Sequence, residues 1–438
     1  MKNLLFITLT FQFIQPIFLG IKADTEFLPY PTFFLIISLF VKLFQKHLHL
    51  KLSKTQIFSV FFALALLSYG IINSILCQNF SLKSLVLIYS PICCVLATII
   101  LFREEATPSK KVFIACWLIW LTAMAVQFIL PSFYENISSL FFQRISNEFS
   151  ERGVSGLAPE PSYTAEVLLL FYVIWRLIYY SFSSTTRIFF LTTLTLAIIL
   201  SGSITSYGLF FMVASVELIV KMVYLYFRDF SKVFSSVSNF FRGKTLVVSL
   251  IVLTLGFLTA ILAGFQPPTR LLALLEPSSA GNTSFMQYSS IQEMIYDLTL
   301  IKLGSWRSIG NYVGYVIGFQ NFPFGEGLGS GELAFDDVIY SNFANYDKSI
   351  RYWIVTPFTY APFAIADLGF LFFSMVFMYV AKATKLRTLL DYFPVEASMI
   401  ISGLVCITII SPKSSLNPWF IMIYAASHGV AKLQFRLN

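Results

Sequence analysis

A carboxylate between two prolines is the first feature of the sequence that could do chemistry. Glu160 follows Pro159 and precedes Pro161, and Ser162 stands directly before a long apolar run. The prolines hold the backbone around Glu160 extended, and Ser162 is placed to cap a helix that begins at Tyr163. Glu160 is therefore predicted near the start of that helix, where it is held near the membrane surface. The alternative is a proline-punctuated turn with a solvated glutamate.

A second set of residues combines one cation with small side chains. At about 100° per residue, Arg307, Asn311, Gly314 and Gly318 share one face of a predicted helix. Glycines let a bulky ligand approach the backbone closely, and a guanidinium suits bidentate phosphate binding. This face is therefore predicted to bind a phosphate-bearing ligand. The alternative is a tight helix–helix contact through the small residues, with Arg307 extending toward the membrane surface.

Alternate glycines follow at Gly325, Gly327, Gly329 and Gly331. They free the backbone for turns that can aim amide groups at an anion. The run lacks the lysine of a nucleotide-binding P-loop, and a flexible connection is the alternative interpretation.

Charged residues near these motifs supply both signs of charge. The arginines are Arg144, Arg152, Arg270, Arg307 and Arg351. The carboxylates are Glu148, Glu151, Glu160, Glu326, Glu332, Asp336 and Asp337. Within apolar stretches, Glu217 and Lys221 lie one helical turn apart and are predicted to pair, and Asp367 is predicted to be the remaining intramembrane acid. A proton or ion route through these groups is one interpretation. The other is a pair near the cytoplasmic edge and an acid near the opposite mouth.

The composition places all of these residues in a membrane protein. The 438 residues are 57% hydrophobic and 12% charged, and the mean hydropathy is +0.76. Soluble domains carry about 25% charged residues. The net charge of +8 could indicate nucleic acid, but membrane topology explains it better. The five cysteines form no CxxC pair and the three histidines are too few for a His-rich metal site.

Apolar runs of about 20 residues predict an all-α polytopic fold with about twelve transmembrane helices. The spans are expected near 4–20, 28–44, 57–76, 84–102, 112–131, 163–181, 187–202, 207–226, 245–265, 357–380, 396–411 and 416–432. Lys and Arg collect in alternate connections, which predicts that both termini are cytoplasmic. Residues 1–20 could instead be a cleaved signal peptide, which would leave the orientation of the other spans unchanged.

Two connections on the outside are much longer than the rest. They are residues 132–162 and 266–356 of what we expect to be a single integral membrane domain, 1–438. Long ordered loops are usually functional, so the chemistry is expected on the outer (periplasmic) face. The second loop is rich in aromatic residues and is predicted to fold over the membrane domain.

Taken together, three segments resemble the Wzy-type polysaccharide polymerases and the related O-antigen ligases, which belong to the C-type glycosyltransferase class. The segments are Gly156 to Ser162 before a span, Arg307 with Gly318, and Asn321 to Gly329. The resemblance implies a glycosyltransferase that joins undecaprenyl-pyrophosphate-linked oligosaccharides outside the bacterial plasma (inner) membrane. It implies no metal and no cofactor.

The resemblance also implies roles for residues. Arg307 and Arg152 would hold the pyrophosphate, Arg351 would be a third clamp, and Glu160 would act as base or orient an arginine. The further substrate-binding residues expected are Arg144, Asn311, Gly314, Gly318, Gly325, Gly327 and Gly329. A second spaced Arg–Gly pattern is not clean here, because Tyr163 stands eleven positions after Arg152.

The expected partners are the lipid-linked oligosaccharide and membrane lipid, with a chain-length regulator protein as a candidate. Nucleic acid is not expected. Two alternatives stay open. A ligase of this class typically carries a histidine in the large outside loop. Here that loop has none, because the three histidines are His47, His49 and His428. A flippase usually shows two similar halves with short loops, which the long second loop contradicts.

Overall fold

The computed structural model describes residues 1–14, 30–44, 54–78, 80–101, 107–141, 153–228, 307–329, 335, 337–338, 357, 359–410 and 415–437. Within these ranges the chain is mostly helical and has no strand, so the predicted all-α class is confirmed for them. The span predicted at 245–265 lies outside the described residues, as does most of the large loop 266–356.

Most described α-helices lie at predicted apolar runs, but α1 ends at Thr10, well before the predicted end of the span 4–20, and short helices stand between the long ones. They are α1 (Lys2–Thr10), α2 (Tyr30–Phe44), α3 (Lys54–Leu76), α4 (Leu82–Leu101), α5 (Lys110–Ile129), α6 (Pro131–Ser138), α7 (Pro161–Leu177), α8 (Ser184–Ser201), α9 (Ile204–Arg228), α10 (Arg307–Gln320), α11 (Tyr360–Ala383), α12 (Leu386–Tyr392), α13 (Pro394–Val405) and α14 (Asn417–Leu437). A π-helical turn, Cys406–Ile410, extends α13.

Five of the described helices are long and apolar enough to cross a membrane. These stretches are Ile57–Leu76, Lys110–Ile129, Ser184–Ser201, Thr205–Tyr224 and Tyr360–Ala383. Shorter apolar helices cover Leu82–Thr98 and Pro394–Thr408. The chain is therefore a membrane protein, while the total of about twelve spans stays a prediction.

Local sequence signals set several helix ends. Pro131, Pro161 and Pro394 stand in the first turns of α6, α7 and α13, where a missing N–H costs no intrahelical hydrogen bond. Ser183 caps α8 by accepting from the Thr186 amide. The chain therefore begins these helices where the sequence offers a proline or a capping hydroxyl.

Aromatic rings fill the core between α1, α5, α7 and α8. The Phe171 ring lies 5.7 Å from Phe6 and 5.0 Å from Trp117, and the Trp117 ring lies 4.9 Å from Phe190. All four side chains are at most 2% exposed. Burial and ring packing of this kind hold the first half of the bundle together.

Contacts along α3 and α11 show that these helices run antiparallel. Phe62 stacks on Tyr379 at 5.7 Å, while Tyr69, further along α3, stacks on Phe372 at 6.1 Å. The end of α3 therefore lies beside the beginning of α11.

Several helix ends meet at one end of the bundle, which we call the loop end. There α3 and α5 end, and α4, α7, α11 and α14 begin. The Tyr360 ring at the start of α11 lies 5.0 Å from the Trp419 ring at the start of α14. Glu166 in α7 accepts a hydrogen bond from Ser415 just before α14. The first long predicted loop joins the bundle at this end, and the described end of the second leads into α11 here.

Candidate functional site

Glu160 stands at the N-cap position of α7. Its backbone is extended, with φ −145° and ψ 153°, and the helix begins at Pro161. The prediction that Ser162 caps a helix starting at Tyr163 is therefore wrong, because proline at the first helical position starts the helix earlier. Ser162 instead donates a hydrogen bond to the Glu160 carboxylate at 3.4 Å. The Glu160 side chain is half-buried.

The turn before Glu160 is tied to α8 and α5. Gly153 has φ +89°, and a Cβ there would lie 2.1 Å from the Ser201 carbonyl oxygen. The Val154 amide donates to the Leu200 carbonyl at 2.9 Å. Gly156 has φ +56° and lies against Met124. Only glycine fits the close approach at 153, so the sequence itself fixes this turn on the end of α8.

Two polar side chains that the sequence analysis did not single out hold the same turn. The carboxamide oxygen of Gln127, in α5, accepts from the amides of Ser155 (2.9 Å) and Gly156 (2.7 Å). The Tyr134 hydroxyl, in α6, donates to the Gly156 carbonyl. Burial raises the pKa of Tyr134, so this hydroxyl stays a neutral donor at physiological pH.

Small residues of α10 pack directly on α11. A Cβ on Gly314 would lie 2.9 Å from the Pro362 carbonyl oxygen, and one on Gly318 would lie 2.2 Å from Ile365 Cγ2. The Asn311 carboxamide oxygen accepts from an amide of the segment that leads into α11. The helix–helix alternative is therefore confirmed for the two glycines, and their predicted approach by a bulky ligand is replaced by packing.

The glycine-rich run folds against a break in α11. Gly369 has φ +78° and interrupts the helix. Gly325, with φ +75°, lies against this break, and a Cβ on it would be 2.4 Å from the Gly369 amide nitrogen. A Cβ on Gly369 would in turn be 2.1 Å from the Pro323 carbonyl oxygen. The backbones touch, and only glycine permits that contact.

The amides of the run bond to the first half of α11. The Glu326 amide donates to the Ala366 carbonyl at 3.1 Å, and the Gly327 amide donates to the Asp367 carbonyl at 2.7 Å. The helix break frees these carbonyls from their usual partners, and in an apolar setting they must be satisfied within the protein. The run is therefore an ordered cap on α11, and the flexible-connection alternative does not hold for residues 321–329.

One glycine amide of the run does contact an anion, and that anion belongs to the protein. The Gly329 amide donates to the Asp367 carboxylate at 3.0 Å, and the Asp367 side chain is fully buried. The adjacent Leu328 amide donates to the Ser74 hydroxyl of α3 at 3.2 Å. A Cβ on Gly329 would be 2.4 Å from Ser81 Cβ. Gly325, Gly327 and Gly329 have the positive φ that the predicted turns need, and the anion at the last of them is Asp367.

The segment after α13 links α10 to the rest of the loop end. The Tyr315 hydroxyl of α10 donates to the Thr408 carbonyl at 3.1 Å, and the Thr359 hydroxyl donates to the same oxygen at 3.2 Å. Thr359 also donates its amide to Asn311 at 2.9 Å. Asn311, predicted to bind substrate, thus fixes α10 at the start of α11.

The first residues of α7 lie further out along the helix axis than the contact between Glu166 and Ser415. The first residues of α10 likewise lie further out than the contact between Asn311 and Thr359, at the same end of the bundle. Glu160 stands six residues before Glu166, which contacts Ser415, so it lies about 9 Å further along the axis of α7. Arg307 opens α10 and stands four residues before Asn311, or about 6 Å further along that axis. The helix starts that carry Glu160 and Arg307 therefore both belong to the loop end.

The other predicted arginines, Arg144, Arg152, Arg270 and Arg351, lie outside the described residues. The predicted pair of Glu217 and Lys221 is confirmed: the Lys221 ammonium contacts the Glu217 carboxylate, and Arg176 joins them at 3.2 Å.

Asp367 is not the remaining intramembrane acid, because Glu166 and Glu396 are also buried in helices. Glu396 pairs with His428 at 3.1 Å and with Lys432 at 2.7 Å. The signal for both acids was visible in the sequence, since each is a lone carboxylate inside an apolar run.

Comparison with protein-family models, with curated proteins and with solved structures finds no match to the chain.

Proposed function

We propose that the chain is a polysaccharide polymerase that joins undecaprenyl-pyrophosphate-linked oligosaccharide repeat units on the outer face of the bacterial plasma membrane. One observation carries the proposal: the helix starts bearing Glu160 and Arg307 belong to the same end of the bundle. Thr408 contacts α10 through Tyr315, and Ser415 contacts α7 through Glu166. A glutamate and an arginine at helix starts of one end of the bundle are the residue types that this transfer needs.

The reaction is a glycosyl transfer between two lipid-linked chains. A sugar hydroxyl of the acceptor attacks the anomeric carbon of the donor chain, and the bond from that carbon to the pyrophosphate oxygen breaks. Glu160 takes the proton of the attacking hydroxyl. Arg307 stabilises the negative charge that develops on the departing undecaprenyl pyrophosphate. Arg152 and Arg351 are proposed to share that charge, and a C-type glycosyltransferase-like architecture is part of the proposal.

The distribution of basic residues supports an outward-facing loop end. Lys382 lies over the Phe58 ring near the start of α3, and Lys432 pairs with Glu396 at the far end of α14. Arg176 and Lys221 lie near the end of α7 and in the second half of α9. Basic residues are retained in the cytoplasm, so these helix ends are proposed to face inward together with both termini.

A second candidate is a transporter such as a lipid-linked oligosaccharide flippase. The interrupted helix α11, with Asp367 buried beside the break, favours it, because broken helices form substrate and ion sites in transporters. The Gly329 amide on the Asp367 carboxylate gives that acid a structural partner instead. An O-antigen ligase would use the same donor chemistry with a different acceptor.

The test is complementation of a host that lacks the gene. Surface and lipid-linked polysaccharide are resolved by length after expression of the wild type, Glu160→Gln, Arg307→Ala or Glu135→Gln. Glu135 is the matched control, because it is an exposed carboxylate of α6 near the same end. We expect single repeat units from the first two variants and a full ladder from wild type and Glu135→Gln at equal protein level.

Each other pattern identifies a different function. A full ladder from Glu160→Gln and Arg307→Ala would remove both residues from the mechanism. Long chains that stay on the carrier in the deletion host would indicate a ligase. Repeat units trapped on the cytoplasmic leaflet would indicate a flippase.

A further inference from the structure

A glutamine buried at the end of α5 organises the turn that carries Glu160. Gln127 is 3% exposed, although its neighbours in the sequence form an apolar span. Its carboxamide oxygen accepts from two consecutive amides, those of Ser155 and Gly156, at 2.9 and 2.7 Å. Its nitrogen donates to the Ser155 hydroxyl at 3.3 Å. A polar side chain in such surroundings is costly unless it is paired, and here both ends of the amide are used.

The turn that Gln127 holds is bonded to the start of α7. The Thr164 hydroxyl donates to the Ser155 carbonyl, and the Thr164 amide donates to the Glu160 carbonyl at 3.3 Å. The Ala158 amide donates to the Ser155 carbonyl at 3.2 Å. Ser155 is therefore joined to Gln127 on one side and, through Thr164, to Glu160 on the other. A shift of the turn must shift the backbone that places Glu160.

We infer that Gln127 is a positioning residue for Glu160. This inference rests on the proposed polymerase function, in which the Glu160 carboxylate must reach the attacking hydroxyl. Gln127 touches no reacting atom; it fixes two amides of the preceding turn, and that turn fixes the N-cap residue of α7. Displacement of a reacting group by about 1 Å can cost about 100-fold in rate.

The chain offers well-matched variants. Gln127→Glu keeps the oxygen that both amides contact, whereas Gln127→Leu removes it. Tyr134→Phe is a milder change that removes only the hydroxyl on the Gly156 carbonyl. Gln12→Leu is the control, because Gln12 is also 3% exposed but its amide nitrogen has no hydrogen-bond partner among the described residues. It removes a buried carboxamide whose nitrogen donates nothing to the described part of the turn.

The measurement uses purified full-length protein and lipid-linked repeat units extracted from the host that lacks the gene. The rate of joining two repeat units is followed against pH and against repeat-unit concentration. We expect Gln127→Leu to lower kcat about 100-fold with little change in KM and to shift the acid limb of the pH profile. Gln127→Glu should restore most of the rate, and Gln12→Leu should match wild type.

The outcomes separate this inference from the function on which it rests. Wild-type rate and pH profile in Gln127→Leu, with Glu160→Gln inactive, would overturn only the role of Gln127. An equal loss of joining rate in Gln127→Leu and Gln12→Leu would also overturn it, because the loss would then follow from removing any buried carboxamide. If Gln127→Leu does not accumulate, Tyr134→Phe must show the same shifted profile for the inference to stand. No joining by the wild-type protein would overturn the polymerase itself.

Discussion

The Asp367 carboxylate accepts a hydrogen bond from the Gly329 amide at 3.0 Å, although 38 residues separate the two in the chain. The bond joins the glycine-rich run to the first half of α11. It places a buried acid in contact with a neutral donor within the protein. Asp367 is therefore part of the cap on the interrupted helix.

Substitution of Asp367 distinguishes a structural acid from a transporting one. Asp367→Asn keeps an oxygen for the Gly329 amide and should retain polymer synthesis and most thermal stability. Asp367→Ala leaves a buried amide without its partner and should lower the free energy of unfolding by about 1–3 kcal/mol. Thermal unfolding of both variants in detergent, together with polymer length in the host, checks this. Complete loss of function in a stable Asp367→Asn would favour the transporter.

The break in α11 depends on glycine at 369. A Cβ at this position would meet the Pro323 carbonyl oxygen at 2.1 Å, and φ is +78°. Gly369→Ala should therefore destabilise the protein by about 1–3 kcal/mol or more. Gly208→Ala is the control, because a Cβ there meets nothing within 4 Å on α9. That change should be neutral or slightly stabilising, since alanine favours the helix. Similar melting temperatures for both variants would contradict the packing described here.

Contact between α10 and α11 predicts a compensating pair of substitutions. Gly318→Ala should weaken the protein, because the new methyl group would lie 2.2 Å from Ile365 Cγ2. Replacing Ile365 by Ala as well removes the obstructing atom and should recover part of the lost stability. Double-mutant thermal unfolding measures that recovery. If Gly318 served a ligand instead, Gly318→Ala would leave stability unchanged and the second substitution would rescue nothing.

The sequence predicted the positions of most described helices because each apolar run is long, whereas α1 ends at Thr10, before the predicted end of its span. The glycine turns at 325, 327 and 329 were also predictable, and all three residues have positive φ. Their target was not, because the choice between an external phosphate and the Asp367 carboxylate depends on a contact across 38 residues. A pattern of glycines specifies where the backbone can turn and leaves the partner undetermined.

The residues that support Glu160 could not be recognised from the sequence, for a related reason. Gln127 stands in an apolar run that has the composition of an ordinary span. Tyr134 lies in a short helix that the sequence does not predict. Each becomes significant only when the chain returns 20 to 30 residues later, as at Gly156. Glu160 itself was recognisable because its two flanking prolines act locally.

Cys77 provides a chemical test of the loop end. It follows α3 and is partly buried, and burial raises the pKa of its thiol, with the negative charge of Glu326 raising that pKa further. A raised pKa means less thiolate at neutral pH, so alkylation should be slow at pH 7 and accelerate as the pH rises. Glu326→Gln removes the nearby charge and should speed the reaction at pH 7.

The same thiol tests the orientation of the bundle. A membrane-impermeant maleimide added to intact cells should label Cys77 from outside, and Cys77→Ser gives the background from the other cysteines. The rate of alkylation depends on the fraction of Cys77 present as thiolate as well as on access. Wild type and Glu326→Gln are therefore compared at two pH values in the same cells. Labelling that requires disrupted membranes would place the loop end in the cytoplasm. It would also separate the proposed polymerase site from its lipid-linked substrate.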